Sequence, residues 1–181
     1  MSTLLKPPVN STDHIRGNSN APLELVEYGD FECSDCGHAY PIIKTIQQAL
    51  GDDLKFVFRN FPLTQIHPHA VNAAVAAEAA ALQNKFWEMH DMILQNQKHL
   101  ESEDLLLYAI KIGLDPNQFE NDMQNNALRA KVEADFESGV RSGVNRTPSF
   151  FINGVKYEGA SEANELIYYL KNKLSEVGSN F

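Results

Sequence analysis

The sequence predicts an α/β fold of one domain, ordered βαβ, then a run of helices, then ββα. Three observations predict it. A β-type run passes through a helical pattern into a second, alternating run between Pro22 and Arg59. An alanine-rich stretch then opens a long region of helical periodicity, and an Asn-Gly dipeptide near the end separates two further β-type runs. The 181 residues amount to about one domain of ~150 and suffice for a sizeable core. With 43% apolar and 22% charged residues, a disordered or fibrous chain is excluded.

The elements follow in order. Residues 1–12, rich in Pro, Ser and Asn, predict a flexible tail ahead of a domain over 13–181. His14-Ile15-Arg16 reads as a short edge strand, and residues 22–28 as a strand. The helix that begins at the cysteines carries Ile42, Ile46, Ala49 and Leu50 on one face, with Gly51 as its stop. Residues 55–59 alternate as a second strand, and a unit of this length implies parallel pairing through a right-handed crossover. From about 66 to 143 the pattern is an inserted helical subdomain, with helices at 70–82, 85–96, 102–112, from Asp115, and at 127–142. Asp115-Pro116-Asn117-Gln118 reads as an N-cap, a proline at N1 and a reciprocal glutamine at N3. Residues 149–152 and 155–157 flank Asn153-Gly154 as a hairpin with a type I′ turn. Ser161 then caps a last helix bearing Leu166, Ile167, Leu170 and Leu174.

Fifteen Lys and Arg against 24 Asp and Glu leave a net charge of −9, which disfavours nucleic acid or an anionic membrane surface as partner. No run of ~18 apolar residues predicts a membrane span. Residues 1–14 lack the apolar stretch of ~7–15 residues that an export signal needs. A cytoplasmic location is therefore expected, or a periplasmic one if a signal has been removed.

The chain has two cysteines, adjacent as Cys33-Ser34-Asp35-Cys36. A bond between them closes almost no loop and so has little structural value. At a helix N-terminus Cys33 meets free backbone N–H groups and the positive end of the helix dipole, which favour its thiolate. Cys36, one turn on, lies on the same face and closer to the core. The spacing assigns Cys33 as nucleophile and Cys36 as resolver of a mixed disulfide. Two other readings stand beside this one. Inert core thiols are one; half of a metal site is the other, completed by His67 and His69, since His38 at i+2 from Cys36 points away. No second CxxC or HxxxH supports a metal, and none is expected.

On these residues the chain resembles the DsbA-like thiol–disulfide oxidoreductases of the thioredoxin superfamily, in the bacterial branch with a helical insert. The resemblance spans about 13–175 and rests on VEYGDFECSDC, RNFPL, IHPHA, KFWEMHD and GVNRTPSFFING in that order. It implies a thioredoxin-like fold and exchange of the CxxC disulfide with protein or peptide thiols and disulfides. The partner is an unspecified thiol electron donor or acceptor, and the pair itself is the redox centre, without an organic cofactor. It further implies that Glu27 is a buried acid beneath the disulfide, where a strand carboxyl covered on both faces has a raised pKa and can take the proton of Cys36. From the residues alone an exposed edge-strand glutamate is equally consistent. Pro41 matches a kinking proline, and Pro148 a cis-proline opposite the disulfide that lets the backbone of Thr147 meet an extended substrate. Ser34-Asp35 departs from the family, whose members often carry proline and an aromatic or histidine there. The Asp35 carboxylate is expected to oppose the Cys33 thiolate and make the couple more reducing than in strongly oxidising relatives.

Phe31, Trp87 and Tyr40 are candidates for an apolar substrate rim, with a core role the competing reading for aromatics at helical spacing. His90 and His99 are expected on solvated helix faces. The function expected is thiol–disulfide exchange, with reduction or isomerisation favoured in a reducing cytosol. The alternatives are glutathione-dependent chemistry on a small electrophile, or a non-enzymatic metal- or peptide-binding module.

Overall fold

A computed structural model of the chain describes residues 3–159 and 163–178. Its sheet has five strands in the order β1-β3-β2-β4-β5: β1 His14–Gly17, β2 Leu23–Gly29, β3 Leu54–Asn60, β4 Ser149–Ile152 and β5 Val155–Lys156. β2 and β3 pair in parallel across α1, Ser34–Leu50, while the other pairings are antiparallel. The insert supplies α2 Ala70–Ala81, α3 Phe86–Gln95, α4 Ser102–Lys111, α5 Pro116–Met123 and α6 Asn126–Arg141, and α7 Ala163–Gly178 follows the hairpin.

Alternation along β2 and β3 divides the core in two. Leu23, Leu25, Phe56 and Phe58 join the larger cluster with α1 to α6 and α7. Val26, Tyr28 and Val57 join a smaller one on the opposite face with Leu5, Phe61, Val144 and Phe151. The buried face of α1 is Cys36, Ala39, Ile43, Ile46 and Leu50. This corrects the expected stripe: Ala49 is exposed and Ile42 half-buried, because the face is set by Cys36 and Ala39 in the first turns. Gly51 ends the helix at φ 49°, and Asn153 and Gly154 adopt φ 47° and 77°, the left-handed pair a type I′ turn requires. Asp115 caps α5 by accepting the Gln118 N–H, but its own N–H goes to Gln83 Oε1 instead of the Gln118 side chain. Leu166 and Leu170 are buried and Ile167 and Leu174 half-buried; the expected cap at Ser161 lies outside the described residues.

The segment expected as a flexible tail is fastened to the sheet. Leu5 N–H donates to Gly154 O at 2.9 Å, and Lys156 N–H to Thr3 O at 2.8 Å. Arg59 explains the rest. Its guanidinium is buried at the end of β3 and must find acceptors, which it takes from the Asp13 carboxylate at 2.8 Å through both Nε and NH2 and from the carbonyls of Pro7 and Pro8. Asp13→Ala strands that charge and is expected to cost about 3–5 kcal/mol in chemical denaturation. A change below about 1 kcal/mol would show that the clasp is not a significant source of stability.

Candidate active site

The chain leaves the sheet at Gly29, turns through residues 30–32 and enters α1 at Cys33, which is its N-cap with φ −70° and ψ 123°. Cys33 N–H donates to Asp30 O at 3.2 Å, and Gly37 N–H to Cys33 O at 3.1 Å. One turn inward, Cys36 is fully covered while Cys33 keeps 8% of its surface, and both are free thiols. Asp30 N–H donates to Cys36 Sγ at 3.4 Å.

The environments drive the two sulfurs apart. The hydrogen bond from Cys36 pulls the Cys33 thiol down to about 5 against the opposing effect of burial, helped by the backbone N–H groups of Cys36 and Asp35. Burial, the Cys33 sulfur and Glu27 push Cys36 well above the ordinary thiol value. The Asp35 N–H is one of the groups that favour the Cys33 thiolate. Both Ser34 and Asp35 are exposed.

Glu27 is buried on a central strand, in register with Phe58 of β3 and Phe150 of β4, so the edge-strand reading does not hold. Burial, and secondarily the Cys33 charge, push its carboxyl up to about 8. Thr147–Pro148 is a cis peptide, and the Cys33 thiol donates to Thr147 O at 3.6 Å. Between this loop and α1 lies a groove of about 400 Å³ lined by Asp35, His38, Ile42, Arg146, Pro148 and Tyr157 among others.

Phe31 is not part of a substrate rim. It is 1% exposed and packs on Phe58 and His90, with ring centroids 5.0 and 5.6 Å away. Trp87 and Tyr40 are half-buried, Trp87 donating to Ile15 O and lying under Arg16. His90 is 2% exposed and bonded to Asp91, which corrects the solvated face expected for it. The reason is its place in the Phe86, Met89, His90, Ile93 stripe, a spacing that marks the buried side of α3. His99 is exposed.

Three residues absent from the sequence reading hold the turn. Gln97 Nε2 donates to Phe31 O at 2.9 Å and Cys33 O at 2.7 Å. Asp30 accepts from Glu32 N–H, Leu63 N–H and His67 Nδ1, and Glu32 accepts the His69 N–H at 2.7 Å. Asp30 and Glu32, within GDFEC, could have been noticed as acids beside a CxxC; nothing in the sequence points to Gln97. His67 is engaged by Asp30, and among the described residues no group of three His, Cys, Asp or Glu is arranged to hold a metal.

A thioredoxin family model matches residues 9–172 of this chain. The chain belongs to the thioredoxin family. Within the family its fold is DsbA-like. It superposes on oxidised BdbD from Bacillus subtilis with a TM-score of 0.82 at 22% identity, covering 97% of this chain and 98% of that one. On the thiol-disulfide exchange protein alpha-DsbA2 from Wolbachia pipientis the TM-score is 0.80 at 23% identity, covering 90% and 88%. In sequence it is 43% identical over 170 residues to a Mycolicibacterium vanbaalenii protein named Na(+)/H(+) antiporter NhaA 1. That alignment covers 93% of this chain but only 28% of the relative, whose name describes a much longer protein. No helix among the described residues is long and apolar enough to cross a membrane.

Proposed function

We propose that this chain is a thiol–disulfide oxidoreductase that exchanges its Cys33–Cys36 pair with protein disulfides and thiols through a mixed disulfide. The observation that carries this reading is the opposite displacement of the two thiols, one held down to about 5 at a helix N-terminus and the other pushed up in the core beneath it. In the reducing direction the Cys33 thiolate attacks a substrate disulfide, forms the mixed disulfide and releases one substrate thiolate. In the mixed disulfide Cys33 no longer carries the charge that helps hold the Glu27 proton, so Glu27 ionises more readily; its carboxylate form takes the Cys36 proton, and Cys36 attacks the Cys33 sulfur. The second substrate thiolate leaves, two electrons have passed to the substrate, and Cys33–Cys36 is a disulfide. Oxidation is the same path reversed. Thr147 O lies 3.6 Å from the Cys33 sulfur, and Thr147 and Pro148 border the groove that receives the peptide. The pair is the whole redox centre, and no organic cofactor takes part. The likeness in fold to a protein described as a thiol-disulfide exchange protein supports the reading.

The test is turnover on a peptide containing one disulfide, with dithiothreitol as donor and product thiols followed by alkylation. Release well above the dithiothreitol background, lost in a Cys33→Ser variant, is expected. Equal rates with and without the protein, in both the reducing and the oxidising direction, would overturn the proposal.

A further inference from the structure

Asp30 is the hub of the active-site turn. Its carbonyl accepts the Cys33 N–H and its own N–H reaches the Cys36 sulfur, so its position sets that of both thiols. Its side chain is fully buried and accepts three hydrogen bonds, from Glu32 N–H at 2.8 Å, Leu63 N–H at 2.7 Å and His67 Nδ1 at 2.8 Å. Two of these donors are neutral amides. The third, His67, is the one that can carry charge, and its side chain is 20% exposed and open to protons from solvent. The Glu32 clasp on His69 N–H fastens the same loop, residues 61–69, over the turn.

Resting on the function proposed above, we infer that His67, oriented by Asp30, is a positioning residue for the exchange reaction. Its protonated ring, 2.8 Å from the carboxylate of the residue whose carbonyl accepts the Cys33 N–H, places a positive charge on the turn that carries the Cys33 thiolate and favours the dithiol over the disulfide. Burial would discharge the ring, but the hydrogen bond and charge of Asp30, followed by the charges of Cys33 and Glu32, hold its pKa above the ordinary histidine value. These three groups all come from the turn before α1. The neighbouring His69 on the same loop faces Glu101 ahead of α4 at 3.7 Å. Coupling is reciprocal: whatever the ring adds to the stability of the thiolate, the thiolate adds to the affinity of the ring for its proton.

His67→Asn keeps an N–H donor close to the Nδ1 position and removes the charge. In the reduced protein the midpoint of Cys33 alkylation against pH is expected to rise by about half a unit, a threefold change in thiolate stability. At pH 6 the equilibrium with glutathione should move threefold toward the protein disulfide, a potential more negative by about 14 mV. The difference should vanish toward pH 9, where the wild-type ring is neutral, because a purely structural contact would leave a constant offset. An unchanged midpoint, or an offset independent of pH, would overturn the inference. Should the variant fold poorly, the wild type decides the matter by NMR titration of the His67 ring. A pKa higher by about half a unit in the dithiol than in the disulfide form is expected, and equal values would refute it. If the wild type forms no reversible disulfide, the proposed function fails, while alkylation of the reduced protein still reads the effect of His67 on Cys33.

Discussion

Cys36→Ser is expected to turn the protein from a catalyst into a trap. Cys33, still acidic and accessible, attacks a peptide disulfide and forms the mixed disulfide, but no second thiol remains to displace the peptide. Intact mass should show one peptide per chain, stable until dithiothreitol is added, while turnover falls by about a thousandfold or more, as expected when one member of a catalytic unit is removed. Cys33→Ser should give no adduct at all. Its remaining thiol is fully covered and held protonated by burial. Adduct formation by the Cys33→Ser variant would reverse the assigned roles, and near-normal turnover by Cys36→Ser would favour single-cysteine chemistry of the glutathione-dependent kind.

The second large effect concerns Glu27 and appears first in stability. A carboxyl that titrates at about 8 when folded and near 4.5 when unfolded takes up a proton on folding across that window. The folded state binds more protons at this group, so the contribution of Glu27 to stability falls as pH rises from about 4.5 to 8, by an amount on the order of 5 kcal/mol, while the lowered Cys33 thiol of the reduced protein contributes an opposing rise that wild type and Glu27→Gln share. Glu27→Gln lacks this dependence. The variant should match the wild type near pH 4.5 and exceed it by several kcal/mol at pH 8 in urea denaturation. Oxidising the pair removes the Cys33 charge, the smaller of the two causes, so the gap between variant and wild type at pH 8 should narrow. Glu27→Gln also removes the acceptor for the Cys36 proton, and resolution of the mixed disulfide should slow by about a hundredfold or more at neutral pH. Parallel stability profiles for wild type and variant between pH 5 and 8 would show that the carboxylate is not held protonated by its surroundings.

The contrast between these predictions and the sequence reading follows from which interactions are local. The helix boundaries of the insert, the Asn153-Gly154 turn and the redox pair were readable because each depends on residues close together in the chain. The partners of Asp30, His67 and Gln97 were not, since they join segments more than thirty residues apart. Arg59 looks like the end of an alternating strand, and nothing in its neighbourhood says that Asp13 and the carbonyls of Pro7 and Pro8 will enclose it. Phe31 is hidden for a related reason. Next to a reactive cysteine an aromatic suggests a substrate surface, yet the turn aims it inward against Phe58 and His90. The burial of His90, by contrast, is legible in the sequence, because Phe86, Met89 and Ile93 mark its face of α3 as buried.

The most direct test of the account is the redox equilibrium of Cys33 and Cys36 in glutathione and dithiothreitol buffers, quenched by alkylation and read by intact mass. A thiol near 5 lies between the ~7 of thioredoxin and the ~3.5 of the strongly oxidising DsbA. The potential should accordingly fall between about −270 and about −120 mV, as one reversible two-electron transition. A pair that stays fully alkylated in every buffer, forming no internal disulfide, would contradict the central claim.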